Sequence, residues 1–425
     1  MQLSRKRCAQ PVIVRKNWHK ITVKKTVIVL SIISSLLIQS NANAATKPLA
    51  VKNLSPISTS PLTQEVPKML VAGNTIVLYG SENNTGYLRA IKSDGTEIWK
   101  ISLASSQENI ATAAALGPDG SIWVAGSISL VQASDTNTIM TPTPPINPDG
   151  VVAEPTLPLR GDLNGIALWK VSPAGQVLGN YYFDCKTTVL VTAIAVNAQG
   201  ISIVGMAATE NGNKGFLANS NNQGIISPPI YLGAVDTALE DVQRFSDGTI
   251  VVAGSSGETL AGKKVAAIHD GILARFKNNK VTSLIRSSAN KTSRSWRSVT
   301  NSLFLGGYVQ SGNKFESALT KFSPTFVPSW TYRFASNGTA LTLTTSSNSH
   351  FAFLGSTGAV KGLSTWKPVK ATGLLLAFDG KGLITGAYSA PGTSMPAAIG
   401  YSKELGVIVL GYSQTAVSIF RLITR

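Results

Sequence analysis

Few side chains in this sequence are equipped for covalent or acid–base chemistry. Beyond residue 44 there are two histidines, His269 and His350, and one cysteine, Cys185. A Cys–His pair or a multi-histidine metal site has almost no material to draw on. A single cysteine forms no internal disulfide, and Cys185 reads as a half-buried filler. Paired carboxylates are the remaining catalytic device, since a glycosidase needs only two. Yet Asp94, Asp119, Asp149 and Asp247 each precede a glycine, which marks them as turn residues. Glu240 and Asp241 are adjacent on an expected strand, a placement that sends them to opposite faces. No G-x-S-x-G, phosphate-binding or dinucleotide-binding fingerprint follows a suitable strand. The sequence therefore assigns no catalytic residue, no metal and no cofactor.

Binding chemistry is better represented. The run KTSRSWR (291–297) brings Arg294, Trp296 and Arg297 close together. Guanidinium forks beside an indole face suit an anionic or sugar-like ligand. Two further stretches are basic. Residues 256–270 offer Lys263, Lys264 and His269, and residues 356–372 offer Lys361, Trp366, Lys367 and Lys370. Whether such residues meet depends on the elements that carry them.

The 425 residues carry a formal charge of +17, but the first segment accounts for much of it. Residues 1–25 hold eight Lys or Arg and no acid, and 26–38 read TVIVLSIISSLLI. Ala42-Asn43-Ala44 then supplies a small-x-small site. These are the three parts of a secretory signal peptide, 1–44. The 13-residue apolar run is short against the roughly 20 needed to span a bilayer. An uncleaved anchor is the alternative, and membrane contact is expected only through that segment. Residues 45–425 then carry 30 basic and 21 acidic side chains, a net +9. That balance excludes a nucleic-acid binder and suits attraction to anionic cell-surface polymers. A secreted or cell-envelope monomer is expected.

Hydrophobic residues make up 43% and charged ones 14%, with 38 Gly. This composition points away from helix bundles and towards strands and turns. One phrase recurs, an apolar run closed by glycine: IVLYG, IWVAG, ISIVG, IVVAG, LFLGG, FAFLG and VIVLG. They end at Gly80, Gly126, Gly205, Gly254, Gly307, Gly355 and Gly411. Their spacings are 46, 79, 49, 53, 48 and 56, so only the second departs far from about 50. A second apolar phrase follows each, a third precedes it, and a fourth ends most units. Asp-Gly clusters such as Pro118-Asp119-Gly120 supply the positive φ that tight turns need. Four-strand meanders at this period mark an all-β, seven-bladed β-propeller of four-stranded antiparallel blades. The last copy lacks a fourth strand, which residues 49–55 are expected to supply, closing the ring and removing two open edges. Residues 45–425 thus read as one propeller domain, with a Pro-rich loop insertion at 128–161 that accounts for the long second spacing. The glycine closing each phrase is expected to end its strand and admit neighbouring backbone. Trp99, Trp123, Trp169, Phe304 and Trp330 read as fillers between blades.

AALGPDGSIWVAGS (114–127) with NGIALWKVSPAG (164–175), and QRFSDGTIVVAGSS (243–256) with DGILARFKNN (270–279), resemble the bacterial seven-bladed propeller repeat of the SBBP type. The likeness covers almost all of 45–425 and is strong in two or three units. It implies the propeller architecture and an exported or surface habit, and it carries no catalytic motif.

In such meanders the tight Asp-Gly turns fall on one face and the long connections on the other. Loops on a rigid scaffold usually carry binding, so the long-connection face is the expected site. Lys263, Lys264, Arg294, Trp296, Arg297, Trp366, Lys367 and Lys370 are the candidate residues there. The expected function is non-enzymatic binding of a protein or an anionic cell-surface glycan. A propeller-type glycan hydrolase or lyase with paired carboxylates is the alternative.

Overall fold

A computed structural model describes residues 48–62, 65–130, 160–288 and 290–423. Residues 1–44, read above as a signal peptide, and nearly all of the insertion 128–161 lie outside the described residues. Among the described residues every regular element is a strand. Each Gly-closed phrase forms the second strand of a four-stranded antiparallel meander. In the second meander, Asn109–Leu116, Ile122–Ile128, Gly165–Val171 and Val177–Asp184 pair in that order. In the fourth, the order is Thr237–Arg244, Ile250–Ser256, Asp270–Lys277 and Lys280–Ser287.

The Asp-Gly turns are built as their chemistry dictates. Asp119 Oδ1 accepts the Ser121 N–H at 3.1 Å while Gly120 sits at φ +78°. Asp247 Oδ1 accepts the Thr249 N–H at 2.9 Å beside Gly248 at φ +79°. Lys170 and Ser121 hold the Asp119 carboxyl below its ordinary range. These acids serve turns, as the sequence implied.

The core consists of apolar slabs between consecutive meanders rather than one central cluster. Trp123, Ile166 and Leu168 of the second meander pack on Val191, Ile203 and Phe216 of the third. Met69, Val71 and Ile76 of the first pack on Ala398, Ile408 and Leu410 of the last. Both faces of the middle strands are covered, so Ile122–Ile128 is buried at every position and runs apolar without alternation. Outer strands such as Glu97–Ser102 keep one face in water and alternate. Trp123, Trp169 and Phe304 are buried fillers, each contributing about 2–3 kcal/mol on area grounds, whereas Trp99 and Trp330 are half-buried. The first strands lie against one another in succession, and Met395–Ser402 lies back on Lys68–Ala72.

Two details depart from the sequence reading. The fifth and sixth meanders share one 19-residue strand, Pro328–Ser346. Its first half pairs with Lys314–Phe322 and its second half, from Ala340, with Ser349–Ser356. The strand pairing the last meander's third strand is Ser55–Pro61, not 49–55. It runs antiparallel to Ala416–Leu422, with Thr59 opposite Ser418 and their hydroxyl oxygens 3.0 Å apart. Residues Leu49–Ala50 and Lys52–Asn53 instead pair in parallel with Leu363–Ser364 and with Tyr388–Ser389. Burial explains the shift. Val51 and Leu54 are drawn into apolar slabs flanking the sixth meander, whereas an outer strand needs little apolar material.

Candidate functional site

The innermost strands share an irregularity that the sequence did not disclose. In the second, third, fourth, fifth and last meanders the pairing skips one residue on the first strand: Thr112, Thr192, Glu240, Arg297 and Ala397. Each is a β-bulge, which breaks the alternation of side chains and re-aims the extra residue. The Gly-closed phrase sits directly opposite, Gly126 facing Ala111 and Gly254 facing Leu239. A Cβ on Gly126 would lie 1.7 Å from the Ile110 carbonyl oxygen, and one on Gly254 2.0 Å from that of Ala238. The first meander has no register shift, and there Gly80 has only ordinary contacts, the nearest at 3.4 Å. The recurring glycine is thus the counterpart of the bulge. It admits the neighbouring backbone as expected, but the strand continues past it.

The bulged residues line a cavity of about 1030 Å³ bounded by the first strands of the meanders. Glu240 and Asp241 both face it, against the expectation of opposite faces, because the bulge between Leu239 and Asp241 breaks the pleat. Arg297 forms an ion pair with Glu240. Asp241 accepts the Val299 N–H at 2.7 Å and its own neighbour's, Val242, at 2.8 Å. Lys68 enters the same cavity and donates to the Thr112 carbonyl at 2.8 Å. Its ammonium is reached by water, yet protein surrounds it. Enclosure therefore pulls the Lys68 pKa down, against the pull of Glu240 and Asp241. Enclosure also pushes Asp241 up to about 7, against its two backbone donors. Arg297 overcomes its own burial through Glu240 and Tyr308 and stays charged. Two acidic and two basic side chains thus line one solvent-open cavity.

The other sequence candidates divide. The segment holding Arg294, Trp296 and Arg297 is not a loop but the first strand of the fifth meander, Ser293–Val299. Trp296 is fully buried and packs edge-on to Phe322 at 6.5 Å, so it offers no face to a ligand. Arg294 lies 5.1 Å from the Trp296 ring, with its pKa lowered to about 10 by burial and by Arg333. Arg294 and Trp296 share one side of the strand, but the ring is covered and the bulge turns Arg297 into the cavity, so the three form no common platform. Trp366 is half-buried, and its indole N–H donates to Ser356 Oγ at 3.0 Å. Lys263, Lys264, Lys367 and Lys370 are exposed on the long connections, and Val369 beside the last two is fully exposed. Of the histidines, His350 is buried against Phe304, and His269 is clasped between Asp236 at 3.0 Å and Ser293 at 3.4 Å. The Cys185 thiol is pushed up to about 11 by burial, the behaviour of a filler. Lys68 carried no sequence signal. Glu240 and Asp241 did, in the glycine facing their strand.

No protein-family model and no curated protein matches the chain. Among solved structures, BBS1N in complex with ARL6DN is similar at TM-score 0.49 and 13% identity, over 88% of this chain and 98% of that one. YCF48 bound to D1 peptide is similar at TM-score 0.47 and 13% identity, over 88% and 98%. An uncharacterised protein from Listeria monocytogenes EGD-e is similar at TM-score 0.41 and 10% identity, over 84% and 92%.

Proposed function

We propose that this chain is an exported, non-enzymatic seven-bladed propeller of the SBBP-repeat type, closed by its N-terminal strand, that binds an acidic partner through its long-connection face. The partner is a protein or an anionic cell-surface glycan. Closure is supported by the cyclic packing of the first strands and by the pairing of Ser55–Pro61 with Ala416–Leu422. The binding reading rests on one observation, the way charge is sorted over that face. On the connections of the fourth to sixth units, Lys263, Lys264, Lys291, Lys361, Lys367 and Lys370 are exposed, and none has a carboxylate partner among the described residues. The carboxylate on those connections, Glu258, is turned to the backbone N–H groups of Ala234, Val235 and Asp236. Around the first two units the carboxylates are neutralised instead, Glu82 by Lys100, Glu108 and Asp162 by Arg160, and Asp184 by Lys186. On the tight-turn face exposed Lys92, Lys277, Lys280, Lys381 and Lys403 also lack a carboxylate ion pair, but Asp94, Asp247, Asp379 and Glu404 stand in the same or neighbouring turns. On the long connections of the fourth to sixth units the lysines outnumber the carboxylates, and a local excess of ammonium groups attracts and orients polyanions.

The second reading, a glycan hydrolase or lyase, draws on Glu240 and Asp241 meeting in the axial cavity. Their engagement by Arg297, Val299 and Val242 favours binding over acid–base work. The test is capture from native envelope by three proteins: residues 45–425, the same with 131–159 deleted, and a variant with Lys263, Lys264, Lys361, Lys367 and Lys370 changed to Gln. Loss of capture in both altered proteins, at unchanged unfolding midpoint, is expected. Undiminished capture by both overturns the reading.

A further inference from the structure

The axial cavity is a separate matter from the outer face. Internal repetition supplies a control for it. At the equivalent bulges of three other units stand Thr112, Thr192 and Ala397. The bulge therefore asks for nothing charged. Glu240, Arg297 and Lys68 are nonetheless charged, and Asp241 joins them. Enclosing charges costs free energy that small neutral residues would avoid. Their retention is unexplained by the fold.

Their placement is directional. In the closed ring, the first unit stands opposite the fourth and fifth. Lys68 thus stands across the axis from Glu240, Asp241 and Arg297, and all four line the one cavity. Among the described residues Lys68 donates to the Thr112 carbonyl, and an ammonium has three donors. On the other wall Arg297 pairs with Glu240 and also engages Tyr308, and a guanidinium has five N–H donors and a carboxylate two acceptor oxygens to share with a ligand. One wall thus offers a cation, and the other offers acceptors beside a second cation. At about 1030 Å³ the cavity has room for a small ligand with water to spare.

We propose that the axial cavity binds a small polyhydroxylated carboxylic acid, a sugar acid, with its carboxylate on Lys68 and its hydroxyl groups on the Glu240–Arg297 wall. The inference rests on the closed ring of the proposed function but not on the outer lysines.

Glucuronate is the probe and glucose the neutral control, both titrated calorimetrically into residues 45–425. Glucuronate should bind, and glucose about tenfold or more weakly, because a charged hydrogen bond is lost. Lys68→Met should weaken glucuronate by a similar factor, and Lys68→Arg should retain most of the affinity. Glu240→Gln should weaken glucuronate while leaving the unfolding midpoint within a few degrees. Absence of heat with folded wild-type protein overturns the proposal, as does equal affinity for the two sugars. Wild-type affinity in folded Lys68→Met also overturns it. If Lys68→Met does not fold, loss of affinity in folded Glu240→Gln supports the site and wild-type affinity there sinks it. The five-lysine variant should bind glucuronate normally, so failure of this site and failure of the outer-face reading are distinguishable.

Discussion

Gly126 shows how a single hydrogen atom sets the geometry around it. Its missing Cβ makes room for the Ile110 carbonyl, which the Thr112 bulge pushes across the strand pair. Gly126→Ala should therefore cost about 3 kcal/mol or more, because backbone must move. Gly80→Ala, at the corresponding place without a bulge, should cost under about 1 kcal/mol. Urea unfolding of the two variants checks the contrast, and similar losses would break the link between glycine and bulge. Asp241 carries a second consequence. Its carboxyl is raised to about 7 in the folded protein, against about 3.9 in the unfolded chain. Between those values the folded state holds the extra proton, so this group's contribution to stability falls as pH rises from about 4 to about 7. The charges facing it are Lys68, Glu240 and Arg297, with Tyr79 nearby. Cavity water screens the effect, so about 1–3 kcal/mol is expected rather than the full shift at 1.36 kcal/mol per unit. Asp241→Asn should flatten the wild-type fall in stability between pH 5 and pH 8. Profiles of equal slope would show that the carboxyl titrates as an ordinary one.

Strands were legible wherever turn chemistry bounded them, because Asp119, Gly120, Asp247 and Gly248 act locally and mean the same in any context. The glycine motif was legible as a repeat and half-legible as a cause. A glycine recurring at one place in a second strand also signals a bulge in the first, and reading it so would have put Glu240 and Asp241 on the same side. Strict alternation failed there because it assumes an unbroken pleat. The segment 291–297 looked like a loop because its Ser and Arg residues are polar, yet the first strands face a hydrated cavity and tolerate polarity. The closing strand was misplaced by about six residues because Ser55–Pro61 is an outer strand with five exposed positions and almost no apolar pattern. Its pairing is open to a direct check. Thr59→Cys with Ser418→Cys should oxidise to a disulfide that closes a loop of 359 residues in sequence separation. The gain should be on the order of 4 kcal/mol, less any strain. Two thiols that remain free under oxidation would contradict the pairing.

At the level of the whole molecule, charge carries the functional account. Most turn acids lie at the opposite face or are paired, and the lysines of the fourth to sixth units are left exposed. Lysine positions were visible in the sequence, but the local shortage of carboxylates around those of the fourth to sixth units was not. It emerges only when units far apart in sequence place their long connections on one face. Trp296 shows the reverse case: it looked like a recognition residue and proved to be core, because a tryptophan beside arginines is read the same way whether its ring is covered or bare. Polyanion binding through released counterions weakens steeply with salt. The most direct test of the account is salt-graded elution of residues 45–425 from an immobilised acidic polysaccharide, beside the variant with Lys263, Lys264, Lys361, Lys367 and Lys370 changed to Gln. The account predicts that the wild type elutes at clearly higher salt than the variant and that neither binds a neutral polysaccharide. Co-elution of the two proteins, or equal retention on the neutral matrix, would contradict it.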